Sequence, residues 1–122
     1  MSKTTPLIKD NVLQFYDIWE EKTTELLSLT NVNDWEHWQQ FLEGEKSFRY
    51  VFTNEQGYSF SFSARKEMRP SFGDKTNLQP VWVAYKTVDK KRRKRYLGKK
   101  ENLTADKLKA TALDINQGRF AS

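Results

Sequence analysis

The strongest constraint on the fold is a change of hydrophobic period in the middle of the chain. Phe48, Tyr50 and Phe52 alternate with Arg49, Val51 and Thr53, and Tyr58, Phe60, Phe62 and Ala64 alternate with Ser59, Ser61, Ser63 and Arg65. A period of two places one set of side chains on each face of a strand. Asn54-Glu55-Gln56-Gly57 lies between the two runs and has turn chemistry, so the segment reads as a hairpin with one apolar face. Alternation returns from Val81 to Val88 and, after Asp89-Lys90-Lys91, from Arg92 to Leu97, where Gly98 ends the strand. Pro70, Gly73 and Pro80 mark residues 68–80 as a mobile loop.

Helical patterns flank this centre. Ile8, Val12, Phe15, Tyr16, Trp19, Leu26 and Leu29 recur at spacings of three, four and seven, which predicts an amphipathic helix capped by Asp10 or Asn11. A second, short helix would start at Asn33, with Glu36 completing a capping box, bury Trp35, Trp38, Phe41 and Leu42, and stop at Gly44 in a left-handed conformation. Thr104 would cap a last helix carrying Leu108, Ala112 and Ile115 on one side, stopped by Gly118. The expected fold class is α+β: N-terminal helices, an antiparallel sheet of three to four strands, and a C-terminal helix packed on one sheet face. The chain divides into a helical region over 1–45 and a sheet-plus-helix module over 46–118.

Composition narrows the function. The 122 residues contain no cysteine and one histidine, His37, which removes thiol chemistry, zinc ribbons and His-cluster metal sites, so no metal and no cofactor is expected. The 5 glycines form no phosphate-cradling loop, and no carboxylate pair has a spacing that demands acid–base chemistry; the chain reads as a non-enzyme. No run approaches the ~18 apolar residues of a membrane span, and residues 1–6 carry no apolar leader core, so a cytoplasmic protein with no membrane partner is expected.

Charge is unevenly distributed. Residues 1–64 hold 5 Lys/Arg against 10 Asp/Glu, whereas residues 65–122 hold 16 against 6. The peak, Lys86 to Lys100, has 9 basic residues and only Asp89 opposed to them. Such asymmetry points to a polyanion. The bland alternative is a solvated edge strand, since lysines on edges block aggregation. Two features favour binding: five consecutive like charges from Lys91 to Arg95 repel one another, and Trp82, Tyr85 and Tyr96 are interleaved with them. If Trp82 and Ala84 face the core, then Tyr85, Thr87, Arg92, Lys94 and Tyr96 face out, together with Ser61, Ser63 and Arg65. A basic, hydroxyl-rich sheet face of this kind can lie in the major groove of duplex DNA. Arg65 and Lys94 would reach base edges, while Lys90, Lys91, Arg93, Arg95, Lys99 and Lys100 would touch phosphates, and Tyr85, Arg92 and Tyr96 complete the candidate interface. RNA or single-stranded nucleic acid, bound by stacking on Tyr85 and Tyr96, is the rival reading, and a protein-interaction adaptor the next.

From Tyr58 to Leu113 the chain resembles the three-stranded-sheet-plus-helix DNA-binding domains of the plant ethylene-response type and of the tyrosine-recombinase arm-binding type. The matching residues are Ser63-Ala64-Arg65-Lys66, Val81-Trp82-Val83-Ala84-Tyr85, Arg95-Tyr96-Leu97-Gly98 and a Thr-capped helix with Ala112. The resemblance implies major-groove contact by Arg65, Tyr85, Lys94 and Tyr96. The chain departs from the pattern in its longer connection from Glu67 to Pro80, and in having Tyr85 and Thr87 at places usually charged. The wider span from Trp35 to Leu108, with Phe62-Ser63-Ala64-Arg65-Lys66-Glu67 and Arg95-Tyr96-Leu97-Gly98-Lys99, also resembles an uncharacterised bacterial module found alone or ahead of large transcriptional regulators. That implies a bacterial regulatory or mobile-element context. The N-terminal stripe leaves two readings open: docking on its own domain, or pairing in a homodimer, which would gain affinity from a second half-site.

Overall fold

A computed structural model describes residues 6–17, 19–71 and 74–117. Seven strands form one mixed sheet: β1 (Leu7–Lys9), β2 (Val12–Asp17), β3 (Lys22–Ser28), β4 (Ser47–Thr53), β5 (Ser59–Ser71), β6 (Asp74–Val88) and β7 (Lys91–Gly98), in the spatial order β3-β2-β1-β4-β5-β6-β7. Two helices, α1 (Trp35–Gly44) and α2 (Ala105–Ile115), pack on one face. All neighbours are antiparallel except β1 and β4, which run parallel.

The first helix expected from the sequence is absent, and with it the element that would have paired two copies. Residues 7–28 form the meander β1-β2-β3 instead. The apolar stripe was a coincidence of spacing. Ile8 and Leu13 face each other across β1 and β2 and are buried, whereas Trp19 is 77% exposed and Tyr16 and Leu26 also face water. Asp10 and Asn11, read as caps, have φ of 51° and 69°, a left-handed pair that makes a two-residue hairpin turn and breaks any helix there. The expected sheet of three to four antiparallel strands is thus a seven-stranded mixed sheet. The boundary expected at 45/46 falls in the connection between α1 and β4, and the sheet spans it, since Ile8 of β1 pairs with Tyr50 of β4.

The segment 68–80, expected to be a loop, belongs mostly to strands. β5 and β6 continue past β4 and β7 as a two-stranded ribbon, with Met68 opposite Pro80 and Pro70 opposite Leu78. In the ribbon each strand has one free edge, where a proline without an N–H is tolerated. Gly73 of that segment, and the helix stop expected at Gly118, lie outside the described residues.

The two remaining helices form where expected, with different ends. A 3-10 turn at Val32–Asp34 leads into α1; the side chain of Asn31 caps that turn by accepting from the Asn33 N–H, and Asp34, not Asn33, stands at the start of α1 without a side-chain cap bond. Asp34 instead accepts from the backbone N–H of Ser28, tying β3 to the helix start. Gly44 is the last helical residue and does not take a left-handed conformation. Thr104 caps α2 by accepting from the Lys107 N–H at 3.1 Å.

The core lies between the sheet and the two helices. Phe48, Tyr50, Phe62, Ala64, Trp82, Ala84 and Leu97 from the strands meet Trp38 and Leu42 of α1 and Leu108, Ala112 and Ile115 of α2. Trp38 packs edge-on to Phe48, and Phe48 against Trp82. The Trp38 indole N–H donates to the Leu103 carbonyl at 2.8 Å, giving its one polar atom a partner inside the core. Gly98 has a φ of +98° and a Cβ there would lie 2.9 Å from the Asn102 amide nitrogen, so this position needs glycine. It ends β7 beside a bulge, where Leu97 is the extra residue between the pairs Trp82–Gly98 and Val83–Tyr96.

Candidate nucleic-acid interface

Register assembles the opposite, helix-free face in rows that run across the strands. One row contains Ser47, Arg65, Val83 and Tyr96 on β4, β5, β6 and β7; the next contains Arg49, Ser63, Tyr85 and Lys94. A third has Val51 beside Ser61 and, on the far strands, Thr87 beside Arg92. Short Ser61 and Ser63 side chains therefore alternate along β5 with Arg65, while longer side chains stand on both sides. The result is a concavity of about 350 Å³ lined by Arg49, Ser61, Ser63, Arg65, Tyr85 and Arg92, among others.

Tyr85 is the centre of the charge. The Arg92 guanidinium lies 4.3 Å from its ring centroid, and the Arg65 guanidinium and Lys94 ammonium each lie at 5.7 Å. Cations over an aromatic face are attracted by its quadrupole. The Tyr85 hydroxyl donates to Glu67, which also takes Arg69 at 2.7 Å and Lys94 at 3.9 Å. The bond from Tyr85, then that from Arg69, holds the Glu67 carboxyl below the ordinary glutamate range; the same bond raises the Tyr85 phenol. Arg49, Arg65 and Arg92 have no carboxylate partner among the described residues.

Five candidates from the sequence, Arg65, Tyr85, Arg92, Lys94 and Tyr96, converge on this face, and Tyr96 is 61% exposed. Lys90 and Lys91 are exposed at its end: Lys90 lies with Asp89 in a turn where the two have φ of 66° and 52°, and Lys91 begins β7 opposite Val88. Arg93 and Arg95 point the other way. Arg93 donates to the carbonyls of Ile115 and Gln117 at 3.1 and 2.7 Å, capping the C-terminal end of α2, and Arg95 pairs with Asp114 of the same helix at 2.6 Å. Lys99 and Lys100 border a second concavity of about 300 Å³ with Leu42, Lys66, Pro80 and Trp82, where Lys100 is ion-paired to Glu43. Lys66 there donates to the Glu43 carbonyl at 2.8 Å, and burial lowers its ammonium pKa.

Arg49 and Glu67 escaped the sequence reading. The signal for Arg49 was available: it alternates with Phe48 and Tyr50, and the turn at 54–57 sets it opposite Ser63. Among the described residues no group of three or more potential metal ligands occurs, and no helix is long and apolar enough to cross a membrane. No family model, curated protein or solved structure matches the chain.

Proposed function

We propose that this protein binds nucleic acid, in the first place duplex DNA, through the helix-free face of β4–β7, and acts as a binding factor rather than an enzyme. The observation that carries this reading is the set of three guanidiniums, Arg49, Arg65 and Arg92, gathered on one uncovered face without carboxylate partners among the described residues. Like charges held together repel one another, and a polyanion relieves that repulsion while releasing its own counterions. Tyr85 and the exposed Tyr96 add aromatic surface beside those charges. Lys90 and Lys91 extend the positive strip to the hairpin tip, where they meet phosphates in any sequence. The resemblance to sheet-plus-helix DNA-binding domains supports the same face, and the bacterial module supports a regulatory or mobile-element setting in the cytoplasm.

Fluorescence anisotropy with duplex DNA, single-stranded DNA and RNA at two salt concentrations tests this reading. With about five phosphates neutralised, log affinity for duplex DNA should fall against log salt with a slope of about −4 to −5. A flat salt dependence removes electrostatic docking. Tighter binding of single strands or RNA than of duplex makes stacking on Tyr85 and Tyr96 the dominant mode.

A further inference from the structure

The open face is not a uniform basic surface, because its relief comes from side-chain length. Arg49 and Ser63 are directly opposed on β4 and β5, and Ser63 and Tyr85 on β5 and β6. Ser63 is thus a short side chain with a guanidinium on one side and a phenol ring on the other. Along β5 its same-face neighbours are Ser61 and Arg65, and Arg92 closes the concavity from β7. A floor of two hydroxyls is walled by three guanidiniums.

The hydroxyls are set to donate. The Lys86 ammonium donates to Ser61 Oγ at 2.8 Å. A hydroxyl whose lone pair receives an ammonium proton has its own O–H free to turn outward, and the nearby positive charge makes that proton a better donor. Ser63 is exposed, and its hydroxyl rotates freely to suit a ligand. Everything that points into the concavity from Arg49, Arg65, Arg92 and Ser61 is therefore a hydrogen-bond donor. Glu67, the carboxylate bonded to Tyr85, is occupied by Tyr85, Arg69 and Lys94.

From this we infer that the concavity between β4, β5 and β7 is a discrete seat for a single phosphoryl group, held by the guanidiniums of Arg49, Arg65 and Arg92 over the Ser61 and Ser63 hydroxyls. A tetrahedral oxyanion offers several acceptors at once and matches converging guanidinium forks. Three guanidiniums supply more charge than one backbone diester carries, so a terminal phosphomonoester dianion fits better than an internal phosphate. The inference deepens the nucleic-acid reading: the seat would anchor the 5′-phosphate of a strand end and set register, with Tyr96 and the turn lysines contacting the nucleotides beyond it. The same chemistry would accept the phosphate of a free nucleotide.

Two measurements test it. The first compares two duplexes of one sequence, with and without 5′-phosphates. The full chain should prefer the phosphorylated duplex by about tenfold, the scale of one charge-assisted contact. Arg49→Ala and, independently, Arg65→Ala should abolish the preference, whereas Lys107→Ala, an equal loss of charge on exposed α2, should keep it. The second titrates inorganic phosphate and follows backbone amide resonances; those of Ser61 and Ser63 should move in the parent and stay still in Arg49→Ala. Equal affinity for the two duplexes together with silent Ser61 and Ser63 amides overturns the seat while leaving duplex binding intact. The same loss of preference in Lys107→Ala as in Arg49→Ala also overturns it, since long-range charge then accounts for everything. Phosphate-dependent shifts at Ser61 and Ser63 with no duplex binding at all uphold the seat, assign it to a free phosphorylated molecule, and remove the nucleic-acid reading.

Discussion

Arg92, Arg93, Lys94 and Arg95 are consecutive in the chain and fall into two structural populations. Arg92 and Lys94 crowd around the Tyr85 ring on the helix-free face. Arg93 and Arg95 reach the end of α2, where one meets backbone carbonyls and the other the Asp114 carboxylate. The difference shows that a run of charge on a strand is two runs with separate energetics. One half of it has its charge answered inside the protein and holds a helix against the sheet. In the other half Lys94 lies 3.9 Å from Glu67 while Arg92 has no carboxylate partner among the described residues, and both are left to attract a partner.

The test of largest effect asks whether the faces are assigned correctly at all. Leu97 is 2% exposed and lies under the helices. Leu97→Asp should cost more than about 4 kcal/mol, because it buries an unpaired carboxylate, and should abolish cooperative thermal unfolding followed by circular dichroism. A folded Leu97→Asp protein would invert the two faces.

Next in size is the split between readout and docking on the open face. Lys94→Ala, which removes the base-edge candidate outside the phosphate seat, should narrow the affinity gap between a selected duplex and a scrambled one by roughly 1–3 kcal/mol and should move stability by no more than about 0.5 kcal/mol. Lys90→Ala combined with Lys91→Ala should weaken both duplexes alike and make the salt slope shallower by up to about two. Competition titrations decide, and an equal loss on both duplexes from Lys94→Ala reduces the sheet to a nonspecific binder.

A smaller effect separates neighbours directly. Arg93→Ala should lower stability by about 1 kcal/mol, since it uncaps the last carbonyls of α2, whereas Arg92→Ala should leave the melting temperature in place and weaken nucleic-acid binding. Arg95→Ala should cost less than about 1 kcal/mol, because its bond to Asp114 is a half-exposed surface pair. Denaturant titration alongside anisotropy gives both readouts, and the comparison fails if Arg92 and Arg93 behave alike.

A final effect concerns the tyrosine on the covered face. Tyr50 lies beneath the helices, and burial, with a further push from the Asp10 carboxylate, raises its phenol to about 12. The folded state then holds its proton where the unfolded state has lost it. Its contribution to stability is complete below the ordinary tyrosine pKa of about 10 and is lost as pH rises towards 12. Ultraviolet titration should show a late-ionising phenol in the parent that is missing in Tyr50→Phe, and alkaline destabilisation should be milder in that variant.

The alternation over 48–53, 58–65 and 81–97, the turn at 54–57, the turn that starts at Asp89 and the Thr104 cap were legible in the residues because each rests on local geometry, whereas the strand pairing within 68–80 was hidden by the loop chemistry of its prolines. Strand parity alone put Arg65, Tyr85, Lys94 and Tyr96 on one face and Trp82, Ala84 and Leu97 on the other, as the structure has them. The first thirty residues were not legible. Their apolar spacing satisfies a helical stripe, and the competing signal was two adjacent residues, Asp10 and Asn11, whose left-handed turn depends on a partner strand to pair with. Pairing of β1 with β4 joins Ile8 to Tyr50 across more than forty residues, and nothing local encodes it. The basic run was visible as charge, but its division was not. That α2 would end beside β7, with carbonyls for Arg93 and Asp114 for Arg95, is a fact of packing. So is the row that sets Arg49 beside Ser63 and Tyr85. Local sequence determined which side chains alternate and where the turns fall, because those depend on neighbours a few residues away. Tertiary structure decided which charges are answered and which are left open, because an ion's partner is whatever the fold brings within a few ångströms of it.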